Sequence, residues 1–292
     1  MKKLDDMHPL SATLFFLCVT LIPMFIPYPI ITAVSFIGAA VYVTVQEGRA
    51  SVRTHLWVGL LFVILTLVNP LISHKGATIL FMINDTPVTL EALLYGLNSA
   101  AGLSSVVYWF AAFARIMDSE KLLCVFSVIS ARAALVMSCA LRYIPLIRAQ
   151  FRKTKTAQRS LGLYSDGNIV DKIRGDMRVF SVVITWALEN GIVTADSMAA
   201  RGCGSAKRTA FTTERFTAFD AFAAAAAAVL TGVCAAAALY DRLDIAFYPD
   251  IVMSEGSLLG AAAQAAYIIL AAVPTILSAG VDIRWRYLRS RA

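Results

Sequence analysis

Long uncharged runs of apolar residues alternate along the chain with shorter segments where charges collect. A membrane-spanning helix needs about 20 apolar residues, because the hydrocarbon core is about 30 Å thick and a helix rises about 1.5 Å per residue. The uncharged run 10–45 is long enough for two such helices, and Pro23, Pro27 and Pro29 mark the turn between them. Four more runs follow, at 56–71, 92–114, 221–240 and 256–281. The pattern predicts six membrane-spanning helices.

Lysine and arginine are unevenly distributed between the two sides of this arrangement. Six spans place both termini on one side, together with 47–55 and the long segment between the fourth and fifth spans, and these parts hold nearly all the cations. The opposite loops carry only Lys75 and Arg242, against six acidic residues. Cytoplasmic loops are enriched in Lys and Arg. We therefore expect the termini and the long segment on the cytoplasmic side of a bacterial inner membrane, with 73–91 as an external loop.

The composition agrees with a membrane protein. Hydrophobic residues make up 59% of the chain, against about 45 to 50% in soluble domains. The net charge of +7 is attributed to the basic cytoplasmic loops, so no nucleic-acid partner is expected. The five cysteines form no C-x-x-C pair and are interpreted as small residues packing among helices, neither a metal site nor a disulfide framework. The three histidines, His8, His55 and His74, stand at predicted span ends and are not expected to be ligands.

The segment between the fourth and fifth spans divides the chain into three regions, 1–114, 115–215 and 216–292. It is too apolar for a soluble linker and too charged to cross a membrane, since Arg132 interrupts 121–141 and Glu189 interrupts 179–195. Both stretches are predicted to be helices along or just beneath the inner face. The predicted fold class is an all-α integral membrane protein with about six transmembrane helices plus long amphipathic cytoplasmic helices.

A basic stripe runs along the first predicted cytoplasmic helix, 142–162. Its members are spaced by four, three and four residues, which places them on one helix face: Arg148, Arg152, Lys155 and Arg159. Ile144, Ile147 and Phe151 form an apolar stripe beside it. Three interpretations remain open, namely binding to anionic lipid headgroups, docking to a protein, and, with much less weight, binding to nucleic acid.

Both predicted cytoplasmic helices end in a similar way. The second, about 172–200, ends in Ala200-Arg201-Gly202, where glycine is a common C-cap and the helix dipole favours a cation. The first ends in Ala157-Gln158-Arg159-Ser160-Leu161-Gly162. An arginine that merely caps its own helix is the alternative explanation. Two helices that each close on an arginine followed by glycine favour two docking points.

At this point the residues resemble the transmembrane T component of energy-coupling factor (ECF) transporters, the family that includes the cobalt-type permease subunit. The family's hallmark is a pair of short Ala-Arg-Gly motifs that end two cytoplasmic coupling helices. Ala200-Arg201-Gly202 resembles the second motif, and Ala157-Gln158-Arg159 resembles the first, with Ser160-Leu161 inserted before Gly162. The resemblance extends to His8-Pro9-Leu10, Asn69-Pro70, Leu90–Gly96 and Leu141–Pro145, and so covers most of the chain.

The resemblance implies a non-catalytic membrane subunit. Its partners would be two ABC-type ATPases, which bind ATP and magnesium, a membrane-embedded S component, which binds a vitamin or metal ion, and the lipid bilayer. Arg159 and Arg201 would each sit in a groove on one ATPase, and Arg148, Arg152 and Lys155 would support them. No catalytic residue, cofactor or metal site in this chain is implied.

The residues themselves bear on the alternatives, a self-contained secondary transporter and an intramembrane enzyme. No G-x-x-x-x-G-K-[ST] string is present, so the chain is not expected to hydrolyse ATP. No ionisable residue lies deep in the predicted spans, where ion-coupled carriers usually keep one. Glu189 and Asp196 are the best candidates for a catalytic pair, but their spacing of seven is that of any polar helix face.

Overall fold

The computed structural model describes residues 7–72, 76, 78–83, 86–162, 169–203, 216–240, 243, 245–246, 252–253 and 257–289. Within these residues the chain forms nine α-helices and two short two-stranded ribbons. It divides into two compact units, of which the first combines Met1–Asp118 with Glu214–Ala292 and the second is Ser119–Thr213.

The first unit is a bundle of six helices. They are α1 (Pro9–Phe25), α2 (Pro29–Glu47), α3 (Ser51–Ile72), α4 (Leu90–Ile116), α8 (Ala218–Leu239) and α9 (Leu258–Arg289). The N-termini of several of these helices are explained by the local sequence. Pro9 and Pro29 open α1 and α2, where a missing backbone N–H costs nothing. Thr89 accepts a hydrogen bond from the Ala92 N–H at the start of α4, and Thr217 with Asp220 forms a capping box on α8.

Helix α4 lies at the centre of this bundle and packs against α1, α2 and α3, while α9 packs against α2 and α8. The core at these contacts is aromatic. Trp109 of α4 is fully buried, its indole Nε1 donates to Ser35 Oγ at 3.1 Å, and its ring stacks on Tyr42 of α2. The hydroxyl of Tyr267 in α9 donates to the Val19 carbonyl of α1. The buried indole N–H of Trp109 and the buried hydroxyl of Tyr267 thus have hydrogen-bond partners within the bundle.

The lengths of the helices agree with a multi-pass membrane protein. Six described helices are long and apolar enough to cross a bilayer, and five of them are predicted spans: α2, α3, α4, α8 and α9 up to Val281. The remaining predicted span, α1, has 17 residues and is shorter. In these spans every Asp, Glu, Lys and Arg lies within three residues of an end. The prediction of an all-α integral membrane protein is confirmed.

The sixth helix of sufficient length and hydropathy is α7 (Ile169–Ala200), which the charge pattern assigns to the cytoplasmic region. Only its length and composition place α7 among the helices that could cross a bilayer. Along one side of α7 polar residues recur at helical spacing, from Asp171 through Arg178 and Thr185 to Glu189 and Asp196. Burial of this side in lipid would be costly, so the cytoplasmic placement of α7 stays our prediction.

Two details of the first unit differ from the sequence prediction. The predicted external loop 73–91 contains an antiparallel ribbon of β1 (Ile79–Ile83) and β2 (Thr86–Thr89), in which paired backbone groups replace water as partners. The third predicted span extends over Ser51–Ile72, so Pro70 lies inside the helix rather than at its end. A second ribbon pairs β3 (Ile245–Ala246) with β4 (Val252–Met253).

The second unit contains α5 (Ser119–Ile129), α6 (Ala131–Ser160) and α7. The prediction of one helix over 121–141 is wrong, because the chain breaks at Ser130. That residue takes an extended conformation, and its hydroxyl accepts from the Ala133 N–H as an N-cap. The unit spans 119–213, against the predicted region 115–215. Its position relative to the membrane remains a prediction.

Candidate functional site

Helices α6 and α7 form an antiparallel pair that is fastened near both ends of its contact. At one end the Tyr143 hydroxyl donates to the Asn190 carbonyl at 3.1 Å and lies 2.8 Å from the Thr194 hydroxyl oxygen. Twelve residues further along α6, Lys155 Nζ lies 2.7 Å from Asp176 Oδ1. Because residue numbers rise along α6 as they fall along α7, the C-terminal ends of the two helices lie at opposite ends of the pair.

This arrangement separates the two arginine-bearing helix ends. Asp176 is level with Lys155, one turn before Arg159, and Arg201 follows the last residue of α7. At about 1.5 Å per residue, the stretch of α7 between these levels is roughly 40 Å long. Arg159 and Arg201 are both exposed. The pair therefore presents two arginines that are too far apart to reach one binding pocket.

The end of α7 has a complete glycine cap. The Cys203 N–H donates to the Met198 carbonyl at 3.0 Å and the Gly202 N–H donates to the Ala199 carbonyl at 2.9 Å, the two bonds of a Schellman motif. Gly202 has φ +75°, in the left-handed region that other residues enter at a cost. The helix therefore stops abruptly, and Arg201 is the residue immediately before the stop.

The end of α6 also has a glycine with positive φ as its cap, although its sequence differs from that of α7. Gly162 has φ +69° and its N–H donates to the Arg159 carbonyl at 3.0 Å. The insertion of Ser160-Leu161 therefore keeps a glycine cap and moves Arg159 back into the last helical turn, where the dipole favours its charge. Ala157 and Arg159 are exposed, whereas Gln158 between them is buried. A partner at this end could contact the first two but not the Gln158 side chain.

The basic stripe divides into members with different surroundings. Lys155 is paired with Asp176 and lies over the Phe151 ring. Arg148 and Arg152 are exposed and have no ion-pair partner among the described residues. They line a groove of about 390 Å³ between α6 and α7, whose other lining residues are apolar: Ile147, Phe151, Phe180, Val183, Ile184 and Ala187. One of the predicted supporting cations thus fastens the pair, and two border a groove.

The predicted apolar stripe beside these cations is exposed in part. Ile144 and Ile147 are exposed, and Phe151 is half-buried. On α7 several large apolar side chains are exposed along one flank: Ile173, Met177, Phe180, Ile184, Leu188 and Ile192. A continuous apolar surface of this kind marks a protein or membrane contact. Glu189 and Asp196 are both exposed on the polar side of α7.

Sequence reasoning missed two features of this site. The contacts of Tyr143 and Asp176 join residues that are far apart in sequence. Only the Lys155–Asp176 contact could have been suggested by the sequence, from the opposite charges of the two residues.

The interpretation of the cysteines as residues packed among helices is wrong for Cys203, which is exposed beside Gly202, whereas Cys18 and Cys234 are buried. His74 lies outside the described residues, and no three His, Cys, Asp or Glu side chains gather within the described part as metal ligands would.

Comparison with known families adds evidence that is independent of this geometry. A family model described as "CbiQ: Cobalt transport protein" matches residues 2–210, which include the first four predicted spans and both arginine-bearing helix ends. No curated protein matches the chain.

Proposed function

Because the chain belongs to the CbiQ cobalt transport protein family, the T component family of ECF transporters, we propose that it couples two cytoplasmic ATPases to a substrate-binding S component. Membership makes it a membrane component of a cobalt or micronutrient transport system. The finer role rests on the α6–α7 pair. In this role the pair lies in the cytoplasm of a bacterial cell, each ATPase takes up one of its arginine-bearing ends, and ATP-driven motion passes through it.

The observation that supports this role best is the separation of Arg159 and Arg201 by roughly 40 Å on one braced helix pair. A single partner protein of small size would need a surface of that length to contact both. Two copies of one ATPase, or two related ATPases side by side, meet the requirement with one socket each. The repeated glycine cap fits a repeated socket, since it exposes the same kind of helix end twice.

The chemistry of arginine suits such a socket. Its planar guanidinium group forms two parallel hydrogen bonds with a carboxylate, and it stays charged at all physiological pH values. Lysine would supply charge without this fixed geometry. In the proposal ATP and magnesium bind to the partners, which carry out hydrolysis, and this chain has no catalytic residue.

Four exposed residues of the apolar flank of α7 that lie outside the groove lined by Arg148 and Arg152 are proposed to contact the S component: Ile173, Met177, Leu188 and Ile192. That component would select the cargo, cobalt or another micronutrient, so the cargo's identity does not depend on residues of this chain. A contact that must form and release is better served by a surface of medium-sized apolar side chains than by fixed ion pairs, because such a surface tolerates sliding and repacking. The self-contained secondary transporter remains the second candidate, but no Asp, Glu, Lys or Arg lies in the middle of the described spans, which disfavours it.

The proposal is tested by reversing both charges at the helix ends. We expect Arg159→Glu with Arg201→Glu to reduce recovery of co-expressed ABC-type ATPases by more than about tenfold, because truncation of one partner in a buried charge pair costs about 2 to 5 kcal/mol. Co-purification from detergent-solubilised membranes measures this. Arg142→Glu with Lys153→Glu is the matched control, since both residues are exposed on α6 away from its end. Equal recovery from the two double variants would refute the docking role.

Labelling of Cys203 in the same experiment tests the proposed location. In a variant that keeps Cys203 as its sole cysteine, a membrane-impermeant maleimide should react only after the cells are permeabilised, because the tip of α7 would face the cytoplasm. Unchanged labelling in the double-charge variant also shows that it is still inserted. Reaction in intact cells would place the tip outside and overturn the proposal.

A further inference from the structure

The groove between α6 and α7 combines apolar side chains with two arginines, which docking of the ATPases at the helix ends does not require. Eight residues line it, and six of them are apolar. Its volume of about 390 Å³ lies within the range of roughly 300 to 1,000 Å³ that is typical of small-molecule sites. An apolar groove in water would be an unfavourable surface, so it calls for an apolar occupant.

The two remaining lining residues add a specific charge to one wall of this groove. Arg148 and Arg152 are four residues apart on α6, so their side chains leave the same face about 6 Å apart. Lys155, the next cation of the stripe, is held by Asp176, whereas Arg148 and Arg152 have no ion-pair partner among the described residues. The spacing allows both guanidinium groups to bind one phosphate.

We propose that this groove binds one anionic phospholipid, with an acyl chain against the apolar residues and the phosphate held by Arg148 and Arg152. The ligand combines an apolar body with a single anionic end, as the lining does. An acidic peptide fits less well, because its backbone N–H and C=O groups would need partners and the lining offers no polar side chain besides the two arginines. A protein surface would also cover far more area than a groove of this volume provides.

This binding is independent of ATPase docking, since Arg159 and Arg201 do not line the groove. It turns the general attraction of a basic helix for anionic membranes into a defined site with a stoichiometry of one. The site also joins α6 to α7, because its apolar wall includes Phe180 and Val183 of α7. A bound lipid would therefore brace the pair between its two polar fastenings.

Native mass spectrometry of the purified full chain in detergent tests the proposal. The chain is titrated with phosphatidylglycerol or with phosphatidylcholine of the same acyl chains, and the first bound lipid is quantified. We expect tighter retention of phosphatidylglycerol, and Arg148→Ala with Arg152→Ala should weaken it roughly 30-fold, because each basic side chain near an anionic surface contributes about fivefold. Arg142→Ala with Lys153→Ala removes the same charge from the same helix outside the groove and should leave retention unchanged.

A second variant keeps the test informative if the arginine variant folds poorly. Ala187→Leu narrows the groove from α7 without altering any charge, and it should also weaken phosphatidylglycerol retention. Three results would each overturn the site: equal loss in the two double-alanine variants, displacement of the lipid by glycerol phosphate at equal concentration, or no loss with Ala187→Leu. Loss of the lipid from the wild-type chain when ATPases and S component assemble on it would assign the groove to a protein partner instead.

Discussion

The six-helix bundle and the α6–α7 pair both contain many apolar residues but use them for different purposes. In the bundle, large aromatic side chains such as Trp109, Tyr42 and Tyr267 are fully buried, and those of Trp109 and Tyr267 are hydrogen-bonded to neighbouring helices. In the second unit only four residues of those whose burial is described are buried: Gln158, Gly175, Val179 and Val183. Most of the large apolar side chains of α7 are instead exposed.

This difference indicates where each region obtains its stability. The bundle has an internal core that defines one packing, whereas the helix pair is fastened by a few polar contacts and leaves most of its apolar surface exposed. Substitutions in the bundle should therefore change the free energy of unfolding strongly. Those in the pair should change it little and act mainly on what the pair binds.

The largest effect is expected for Trp109→Ala. Loss of a fully buried tryptophan leaves a cavity and removes the hydrogen bond to Ser35 Oγ, and such changes cost about 3 to 5 kcal/mol in the free energy of unfolding. Thermal unfolding in detergent with a thiol-reactive dye measures it, because Cys18 and Cys234 are buried in the bundle. The three other cysteines are replaced by serine so that they do not contribute.

Trp186→Ala is the control for this substitution. Trp186 is only partly buried in α7, and we expect its loss to leave the release of the two buried thiols near that of the wild type. Equal shifts for Trp109→Ala and Trp186→Ala would show that the helix pair has a core like that of the bundle, contrary to the comparison.

An intermediate effect is expected for glycine substitutions in the two regions. A Cβ added at Gly96 of α4 would lie 2.9 Å from the Thr66 carbonyl oxygen and 3.0 Å from Asn69 Cβ, so α3 must move, at a cost of about 1 to 3 kcal/mol. A Cβ at Gly191 of α7 would meet no atom within 4 Å, and alanine there should stabilise the helix by up to about 1 kcal/mol. Amide hydrogen exchange read by mass spectrometry should become faster in α3 and α4 for Gly96→Ala and slower in α7 for Gly191→Ala. Faster exchange in both would contradict the open packing of α7.

The smallest effect is expected for the Lys155–Asp176 ion pair. The two side chains are 26% and 38% exposed, and partly exposed pairs contribute about 0.2 to 1 kcal/mol. Lys155→Ala should broaden the distance distribution between spin labels at the exposed positions Ser160 and Lys172, measured by double electron–electron resonance. The charge-swapped variant, Lys155→Asp with Asp176→Lys, should narrow it again. A swapped variant as broad as Lys155→Ala would show that the ion pair does not hold α6 against α7.

Much of the fold could be predicted from the sequence because the bilayer imposes a length on every span. Five predicted spans satisfy the length and hydropathy criteria, and their charged residues lie at their ends. The β1–β2 ribbon escaped prediction because Ile79–Ile83 is a short apolar run between polar residues, and such runs do not distinguish a strand from part of a loop. The break at Ser130 depends on one serine hydroxyl, a weak signal inside a long helical pattern.

The candidate site could be predicted only where its determinants are local. A glycine after an arginine predicts an abrupt helix end at Arg201, and Gly202 adopts the left-handed conformation that this requires. The distance between the two ends follows from the pairing of Tyr143 with Thr194 and of Lys155 with Asp176, which depends on tertiary packing. For the same reason the groove at Arg148 and Arg152 was not visible in the sequence, although both cations were.

Because α6 and α7 are antiparallel, the two arginines lie at opposite ends of one rod, and rotation of the rod about its midpoint moves them in opposite directions. If a braced rod of roughly 40 Å tilts about its midpoint by about 10°, its two tips move about 3.5 Å in opposite directions. Proteins gripping Arg159 and Arg201 would then drive the same rotation by pushing at one tip and pulling at the other. In two parallel helices of the same length both arginines would lie at one end, and opposite movements of the two partners could not rotate the pair in this way.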